Sequence, residues 1–387
     1  MKMRRYIFRI LLAAAVLFGL NACSAADEIE SQMSGDGGNK EDSSYTEDGS
    51  YADASSYIDG GNYADTSSYT AGSGYTDVNG YIEDSGSWNH AWYVYWDMDV
   101  WDELLFLSEE TELSAASMFA CYFDEDGQLY VPQGFPKLKE MAEELAFPVT
   151  YLSFTNDVHH ADGSATQKDP KFLQDLWSDS ERTEETAAEM LTLTKSMGAD
   201  GIEIDFENIK ELELWTNYIR FLELIWDKAQ AEKLSMRVVL SVSAPVEDLN
   251  FPVGPEYSVM CYNLYGTHSG PGPKADTDFL KNTAEKFLKL QHISYALATG
   301  GFEWNDDGTV TRSLTQEAAE ALAEEFACKP TRDKPSGALY YTFHDDGKKF
   351  TVWYADEQTL AAWQNEILGV NSEAEFDLWR VGGNRWQ

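Results

Sequence analysis

The chain has 387 residues, a quarter of them charged, and a formal net charge of −39 at pH 7. This excess of carboxylates excludes nucleic acid and anionic lipid as partners, because both are bound through Lys and Arg. It suits a neutral or cationic substrate and a secreted protein with a solvated acidic surface.

Residues 1–23 have the composition of an export signal. A basic start precedes an apolar run from Ile10 to Leu20 that is too short for a permanent membrane helix. Leu20-Asn21-Ala22-Cys23 resembles the cleavage box of bacterial lipoproteins, which implies that Cys23 receives lipid and becomes the mature N-terminus. We therefore expect a lipid-anchored protein on the extracellular face of a bacterial membrane. An ordinary secretory signal, cut nearby, is the alternative.

Residues 24–90 predict a disordered, acidic stalk. They are mostly Ser, Gly, Asp and Tyr, and Tyr recurs at every sixth position from Tyr45 to Tyr81. Units this polar cannot bury a core, so we interpret the segment as a spacer with an end-to-end distance of about 45 Å as a random coil. Contact between the repeated tyrosines and glycan is the alternative interpretation.

From residue 91 onward, short β-like runs alternate with amphipathic helical runs, as in βα units. Eight strands are predicted, at Ala91–Trp96, Ser117–Phe123, Pro148–Phe154, Gly201–Phe206, Arg237–Ser243, Ser258–Asn263, Ile293–Ala298 and Phe376–Arg380. Helices are predicted at Pro136–Leu145, Glu184–Ser196, Glu213–Glu232, Thr277–Leu290, Thr315–Phe326 and Glu357–Leu368.

This pattern predicts an α/β fold, with residues 91–387 forming a closed (β/α)8 TIM barrel. A doubly wound open sheet is the alternative, but no strand ends in its Gly-x-Gly-x-x-Gly turn. Ala338–Phe343 and Lys349–Tyr354 predict a small hairpin inserted before the last helix. Chain order then places Glu207, Tyr262, Trp304 and Trp379 near the C-terminal strand ends, where barrel enzymes keep their chemistry.

Three cysteines follow the signal, Cys121, Cys261 and Cys328, and an odd number gives no disulfide framework. All three lie in or near apolar runs, so we expect buried thiols, with Cys261 pointing outward from the barrel. His159-His160 lies in a polar loop without metal-type spacing nearby, so we expect neither a metal site nor a cofactor.

The segment Asp200–Glu207 carries the main functional signal. As a β-strand it places Glu203, Asp205 and Glu207 on one face and three apolar side chains on the other. Adjacent carboxylates repel one another and are costly to bury. Such an arrangement is useful where an acid must hold its proton near neutral pH. An exposed strand with a solvated acidic face is the alternative.

The spacing Asp-x-x-Asp-x-Asp-x-Glu, opened here by Asp200-Gly201, resembles the signature of glycoside hydrolase family 18, the chitinase-like enzymes. Glu203 stands where the family carries Asp, and Asn263 replaces Asp in a segment that resembles the family's Met-x-Tyr-Asp strand. Further segments resemble the bacterial spore-cortex and cell-wall N-acetylglucosaminidase subgroup, namely His268–Pro273, Gly301–Trp304, Phe350–Asp356 and Leu378–Gly383.

The resemblance implies retaining hydrolysis of β-linked N-acetylglucosamine glycans, with the acetamido oxygen of the substrate as nucleophile. It implies that Glu207 is the acid and then the base. Asp205 would hold the acetamido N–H and favour the protonated form of Glu207. Tyr262 would orient the acetamido oxygen, and Glu203 would repack beneath Asp205.

Aromatic and amide side chains complete the predicted site. Trp379 is expected to form the floor of the sugar subsite, with Trp304 and Trp96 as further stacking candidates and core packing as the alternative for each. Asn263 would act through hydrogen bonds alone. The loops at 156–171 and 267–274 are expected to determine chain length and endo or exo action.

The implied partner is an N-acetylglucosamine-containing polysaccharide, either peptidoglycan, a chitin-type oligomer or an N-glycan. We expect a monomer that contacts the membrane only through its lipid and binds no nucleic acid. One alternative is a catalytically silent glycan-binding lipoprotein on the same barrel. Another is a structural surface protein in which the acidic strand is incidental.

Overall fold

The computed structural model describes residues 88–111, 113–145 and 147–386; the predicted signal, Cys23 and nearly all of the stalk lie outside them. None of the helices in these ranges is long and apolar enough to cross a membrane. The strands are β1 (His90–Val94), β2 (Ala115–Asp124), β3 (Leu129–Tyr130), β4 (Val149–His159), β5 (Ala165–Thr166), β6 (Gly201–Asp205), β7 (Ser235–Leu240), β8 (Glu256–Met260), β9 (Ile293–Ala298), β10 (Gly300–Trp304), β11 (Val310–Leu314), β12 (Thr331–Arg332), β13 (Leu339–Asp345), β14 (Lys348–Ala355) and β15 (Glu375–Trp379). The helices are α1 (Trp101–Glu110), α2 (Phe135–Leu145), α3 (Pro170–Ser178), α4 (Ser180–Ser196), α5 (Leu212–Glu232), α6 (Thr277–Phe287), α7 (Gln316–Glu325) and α8 (Glu357–Leu368).

Eight parallel strands close into a ring in the order β1, β2, β4, β6, β7, β8, β9 and β15, with β15 paired back to β1. The predicted (β/α)8 barrel is therefore confirmed, and each of the eight predicted strands takes part in the ring. Between β7 and β8, residues 241–255 form turns in place of a helix.

Two helices, α1 and α3, were not predicted from the sequence. The residue before α1, Val100, makes no side-chain cap, so the usual polar start signal is missing. The start of α3 does carry such a signal, since the side chain of Asp169 accepts the Lys171 N–H and Pro170 follows directly. The prediction treated residues 156–171 as a loop, whereas β4 continues to His159.

The predicted hairpin is part of a larger insertion. β13 and β14 pair from Leu339↔Tyr354 to Asp345↔Lys348, but they belong to a five-stranded antiparallel sheet in the order β11, β10, β14, β13, β12. The prediction missed the rest because Gly300, with φ of +61°, turns the chain out of the ring directly after β9. Helix α7 packs on this sheet through its own apolar cluster.

Alternation along the barrel strands separates two cores. Ile202, Ile204 and Cys261 lie in the outer core between ring and helices, whereas Met260 and Tyr262 lie in an inner aromatic cluster. The outward direction of Cys261 is thereby confirmed. Cys121 and Cys261 are buried thiols as expected, but Cys328, in the insertion, is only half-buried.

Candidate active site

The acidic strand lies inside the barrel. Glu203, Asp205 and Glu207 are only 0%, 6% and 9% exposed, which rules out a solvated acidic face. Asp200 lies at the opposite end of β6, where its carboxylate accepts the backbone N–H of Thr150 at 2.9 Å and so holds β6 against β4. The alternation of β6 therefore directs three carboxyl groups along one line toward the mouth of the barrel.

A cavity of about 420 Å³ opens at the C-terminal ends of the strands. Its lining includes two predicted catalytic residues, Asp205 and Glu207, and two predicted stacking residues, Trp379 and Trp96. Residues that the sequence interpretation did not single out also line it, among them Phe119, Tyr122, Asp157, Lys168, Lys274 and Arg380.

Glu207 is held from its backbone and from its side chain. Its N–H donates to Asn156 Oδ1 at 2.8 Å, and Asn156 Nδ2 donates to the Glu207 carbonyl at 3.2 Å. Lys168 Nζ lies 2.9 Å from Glu207 Oε1, with both side chains nine-tenths buried. The resemblance gave no reason to select Asn156 or Lys168, which come from β4 and from the connection between β5 and α3.

Asp205 is buried beside Glu207, and its Oδ1 has no hydrogen-bond partner among the described residues. Burial raises the pKa of Asp205 well above its ordinary value, the negative charge of Glu207 raises it further, and Lys168 opposes the shift. Burial and the neighbouring negative charge therefore favour the protonated form of Asp205.

Glu203 lies one layer deeper and is surrounded by donors. Its carboxylate accepts Trp92 Nε1 at 2.7 Å, Ser153 Oγ at 2.5 Å and Ser117 Oγ at 3.0 Å, and Arg237 Nε lies 3.2 Å away. Burial raises the pKa of Glu203, while the charge of Arg237 and the three hydrogen bonds lower it. The Glu203 side chain, longer than the Asp of the family signature, thus accepts its hydrogen bonds from residues deeper in the barrel. Arg237 also pairs with Asp377.

An aromatic floor lies across the cavity. Trp379 is half-buried at the end of β15 and stacks on Tyr262 with ring centroids 6.5 Å apart and planes at 12°. Phe119 meets Trp379 edge-on at 4.8 Å, and Trp96 meets Phe119 at 6.0 Å. Tyr262, predicted as catalytic, is 4% exposed in the inner cluster and is not among the residues that line the cavity.

Two predicted binding residues lie outside the cavity lining. Asn263 is buried after β8, with Nδ2 4.0 Å from Met260 Sδ and with Oδ1 lacking a partner among the described residues. Trp304 is fully buried, packs edge-on against Phe302 at 5.6 Å and donates to the Ser269 carbonyl at 3.2 Å. Trp304 was expected at the end of a barrel strand; it belongs to β10 because the chain turns at Gly300.

No metal centre is evident in the part of the chain that the structure describes. No group of three or more His, Cys, Asp or Glu side chains is placed there to hold an ion. His159 instead stacks on Tyr130 with centroids 4.4 Å apart, and His90 is buried next to Ser117 beneath the site. The chemistry of the cavity rests on carboxyl, ammonium and aromatic groups.

No protein-family profile and no curated protein sequence matches this chain. Several solved structures do match the chain. The spore cortex-lytic enzyme SleL of Bacillus cereus superposes with a TM-score of 0.62 at 16% identity, over 77% of this chain and 71% of that one. A chitinase from Chromobacterium violaceum gives 0.64 at 16% identity, over 78% and 96% of the two chains. The chain has their fold.

A third structure carries a ligand. The class V chitinase of Nicotiana tobaccum, solved in complex with NAG4, superposes with a TM-score of 0.59 at 12% identity, over 78% of this chain and 95% of that one. At these identities the comparisons establish a (β/α)8 TIM barrel, and they leave the reaction to be argued from the residues of the cavity.

Proposed function

We propose that this protein is a retaining glycoside hydrolase that cleaves β-linked N-acetylglucosamine glycans. One observation carries the proposal: Asp205 and Glu207 lie side by side, buried, in the wall of a cavity that the aromatic face of Trp379 also lines. An acid–base pair beside an aromatic platform is what hydrolysis of a sugar polymer requires. The chitinase-type fold is consistent with this chemistry.

Glu207 would donate a proton to the leaving glycosidic oxygen and then accept one from the attacking water. Asp205 presents an oxygen without a partner among the described residues, and the acetamido N–H of a bound sugar could supply that partner. Its negative charge would stabilise the positive charge that develops on the acetamido group. Tyr262 would orient the acetamido oxygen through its hydroxyl group.

The charges around the cavity favour an uncharged sugar. Two of its cations already face carboxylates, Lys168 with Glu207 at 2.9 Å and Arg380 with Asp97 at 2.7 Å. Chitin-type oligomers, peptidoglycan and N-glycans all offer N-acetylglucosamine units. The tobacco enzyme was solved with NAG4 and SleL is named for the spore cortex, so chitin-type oligomers and peptidoglycan are the first substrates to test.

The setting of the enzyme is part of the proposal. We infer a lipid on Cys23, a spacer over residues 24–90 and a monomeric catalytic domain facing outward from a bacterial membrane. The composition of residues 1–90 supports this arrangement. No nucleic acid would bind, since residues 91–387 carry a net charge of −30.

The decisive experiment compares wild type with Glu207→Gln on N-acetylglucosamine oligomers and on purified peptidoglycan, with products read by mass spectrometry. Loss of the acid should reduce turnover by about 10²–10⁴-fold. Asp205→Asn should reduce kcat strongly and leave oligomer binding nearly intact. Equal turnover in Glu207→Gln and wild type would refute the proposal.

A second candidate, a silent glycan-binding protein, is favoured by one observation. The ion pair with Lys168 stabilises Glu207 in its ionised form, which cannot donate a proton. Oligomer binding without hydrolysis by wild type between pH 4 and pH 8 would select this alternative.

A further inference from the structure

Lys168 is an unusual residue for the wall of this cavity. Residues 91–387 carry a net charge of −30, yet this lysine is 7% exposed and contacts the carboxylate of Glu207. A buried ammonium is retained only where it is paired, because its desolvation is costly. Lys168 and Glu207 therefore stabilise each other's charged forms.

The backbone fixes Lys168 in place. Its N–H donates to Asp157 Oδ1 at 2.8 Å, and its carbonyl accepts Asn208 Nδ2 at 3.2 Å. Asn208 directly follows Glu207, so the lysine is tied to the strand end that carries the acid. Both Lys168 and Asn208 have positive φ, +50° and +59°. The ion pair is thus built into the connection between β5 and α3.

Glu207 lies among groups of both signs. Asp205 ends β6 two residues before Glu207, Asp157 comes from β4, and Lys168 provides the positive charge that pairs with Glu207. The positive charge favours the ionised form of Glu207, and its loss would favour the protonated form. Other titratable groups around the pair are Glu203 below it, Tyr218 of α5, and Asp97, Tyr122, Lys274 and Arg380 in the cavity lining.

We propose that Lys168 is a positioning residue that decides which carboxyl group of the pair holds the proton. In the resting enzyme Glu207 is ionised against Lys168, and Asp205 is protonated. Turnover needs the proton on Glu207, and Lys168 favours the ionised form of that group, so Lys168 lowers the pH at which activity is lost on the alkaline side. This inference rests on the proposed function, since it concerns the same acid.

The kinetic test is the pH profile of kcat/KM on an N-acetylglucosamine oligomer for wild type, Lys168→Met and Lys168→Arg. We expect the alkaline limb of Lys168→Met to move up by roughly 1–3 pH units, the range by which a neighbouring cation shifts a carboxyl group. Lys168→Arg should keep the wild-type limb. Lys171→Met is the matched control, because Lys171 is three residues away and its side chain is 73% exposed. Coincident profiles for all four proteins would overturn the inference.

A second measurement does not depend on turnover. In full-length protein labelled with ¹³C at the glutamate carboxyl groups, the Glu207 signal can be assigned by its loss in Glu207→Gln. We expect its titration midpoint to be higher in Lys168→Met than in wild type and unchanged in Lys171→Met. An unchanged midpoint in Lys168→Met overturns the inference. A raised midpoint without cleavage by any variant supports the role of Lys168 and refutes the proposed hydrolase.

Discussion

Asp205 combines burial, a like charge next to it and an oxygen without a partner among the described residues. Each of these features is unfavourable for folding when the carboxyl group is ionised. A functional role explains why a fold would keep them, because the same features prepare Asp205 to receive a donor from a bound sugar. Stability and activity are therefore expected to oppose each other at this residue.

Asp205→Asn should stabilise the protein at high pH. A carboxyl group whose folded pKa is raised contributes stability below its unfolded pKa, and that stability is lost as pH rises through the folded pKa. Asn does not ionise, so the variant should exceed wild type in free energy of unfolding by about 1–3 kcal/mol at pH 8. The difference should shrink at pH 4. Urea unfolding at both pH values measures the difference in free energy of unfolding. Asp126→Asn is the control, because Asp126 is exposed. An Asp205→Asn variant less stable than wild type at pH 8 would contradict the expectation.

Alternation along one strand sufficed to predict that Glu203, Asp205 and Glu207 share a face. It could not predict what else that face meets. Lys168 reaches Glu207 from a connection far away in sequence, and its position depends on hydrogen bonds to Asp157 and Asn208 that no local pattern encodes. The donors around Glu203 likewise come from several separate strands.

At the scale of elements, β10 decides where the barrel ends and the insertion begins. Gly300 and Gly301 open this strand, and Gly301 pairs with Tyr354 of β14. A Cβ on Gly301 would lie 1.8 Å from the backbone oxygen of Trp353, which cannot move without breaking the sheet. The position therefore requires glycine for close approach rather than for its φ angle.

Gly301→Ala is expected to lower the free energy of unfolding by about 3 kcal/mol, because the added methyl group forces β10 and β14 apart. Thermal unfolding followed by circular dichroism measures the effect. Gly270→Ala is the matched control, since a Cβ there meets nothing within 4 Å. If the two variants melted at the same temperature, the close approach of β10 and β14 would be in doubt.

Elements with strong periodicity were predicted well. Helix α8 was predicted with the observed bounds, and the eight barrel strands were all placed, with ends that differ by a few residues. The insertion was predicted only as a hairpin because β10 joins β14 by long-range pairing, and β11 joins the sheet through β10. Trp304 was assigned to a barrel strand for the same reason.

For the whole molecule, the distribution of charge along the chain bears on the proposed location at a membrane. The segments 1–23, 24–90 and 91–387 carry +4, −13 and −30. Segments this acidic are repelled by anionic lipid, so the proposed attachment to a membrane would depend on the proposed lipid anchor.

Cys23→Ser should release the protein from the membrane fraction into the medium or periplasm, because serine lacks the thiol to which the lipid would be attached. Fractionation of expressing cells, with metabolic labelling by a radioactive fatty acid, measures both location and modification. Activity on soluble oligomers should stay at the wild-type level, which separates anchoring from catalysis. A variant that remained membrane-bound and labelled would show that Cys23 is not the anchor.

The central claim is that the acetamido group of the substrate attacks while Glu207 supplies the proton. Time-resolved proton NMR of N-acetylglucosamine oligomer hydrolysis by wild type tests it most directly, because the anomeric signal of the first product reports the stereochemistry. We expect the β-anomer to form first and to convert slowly to the equilibrium mixture. The α-anomer as first product, or signals that never change, would contradict it.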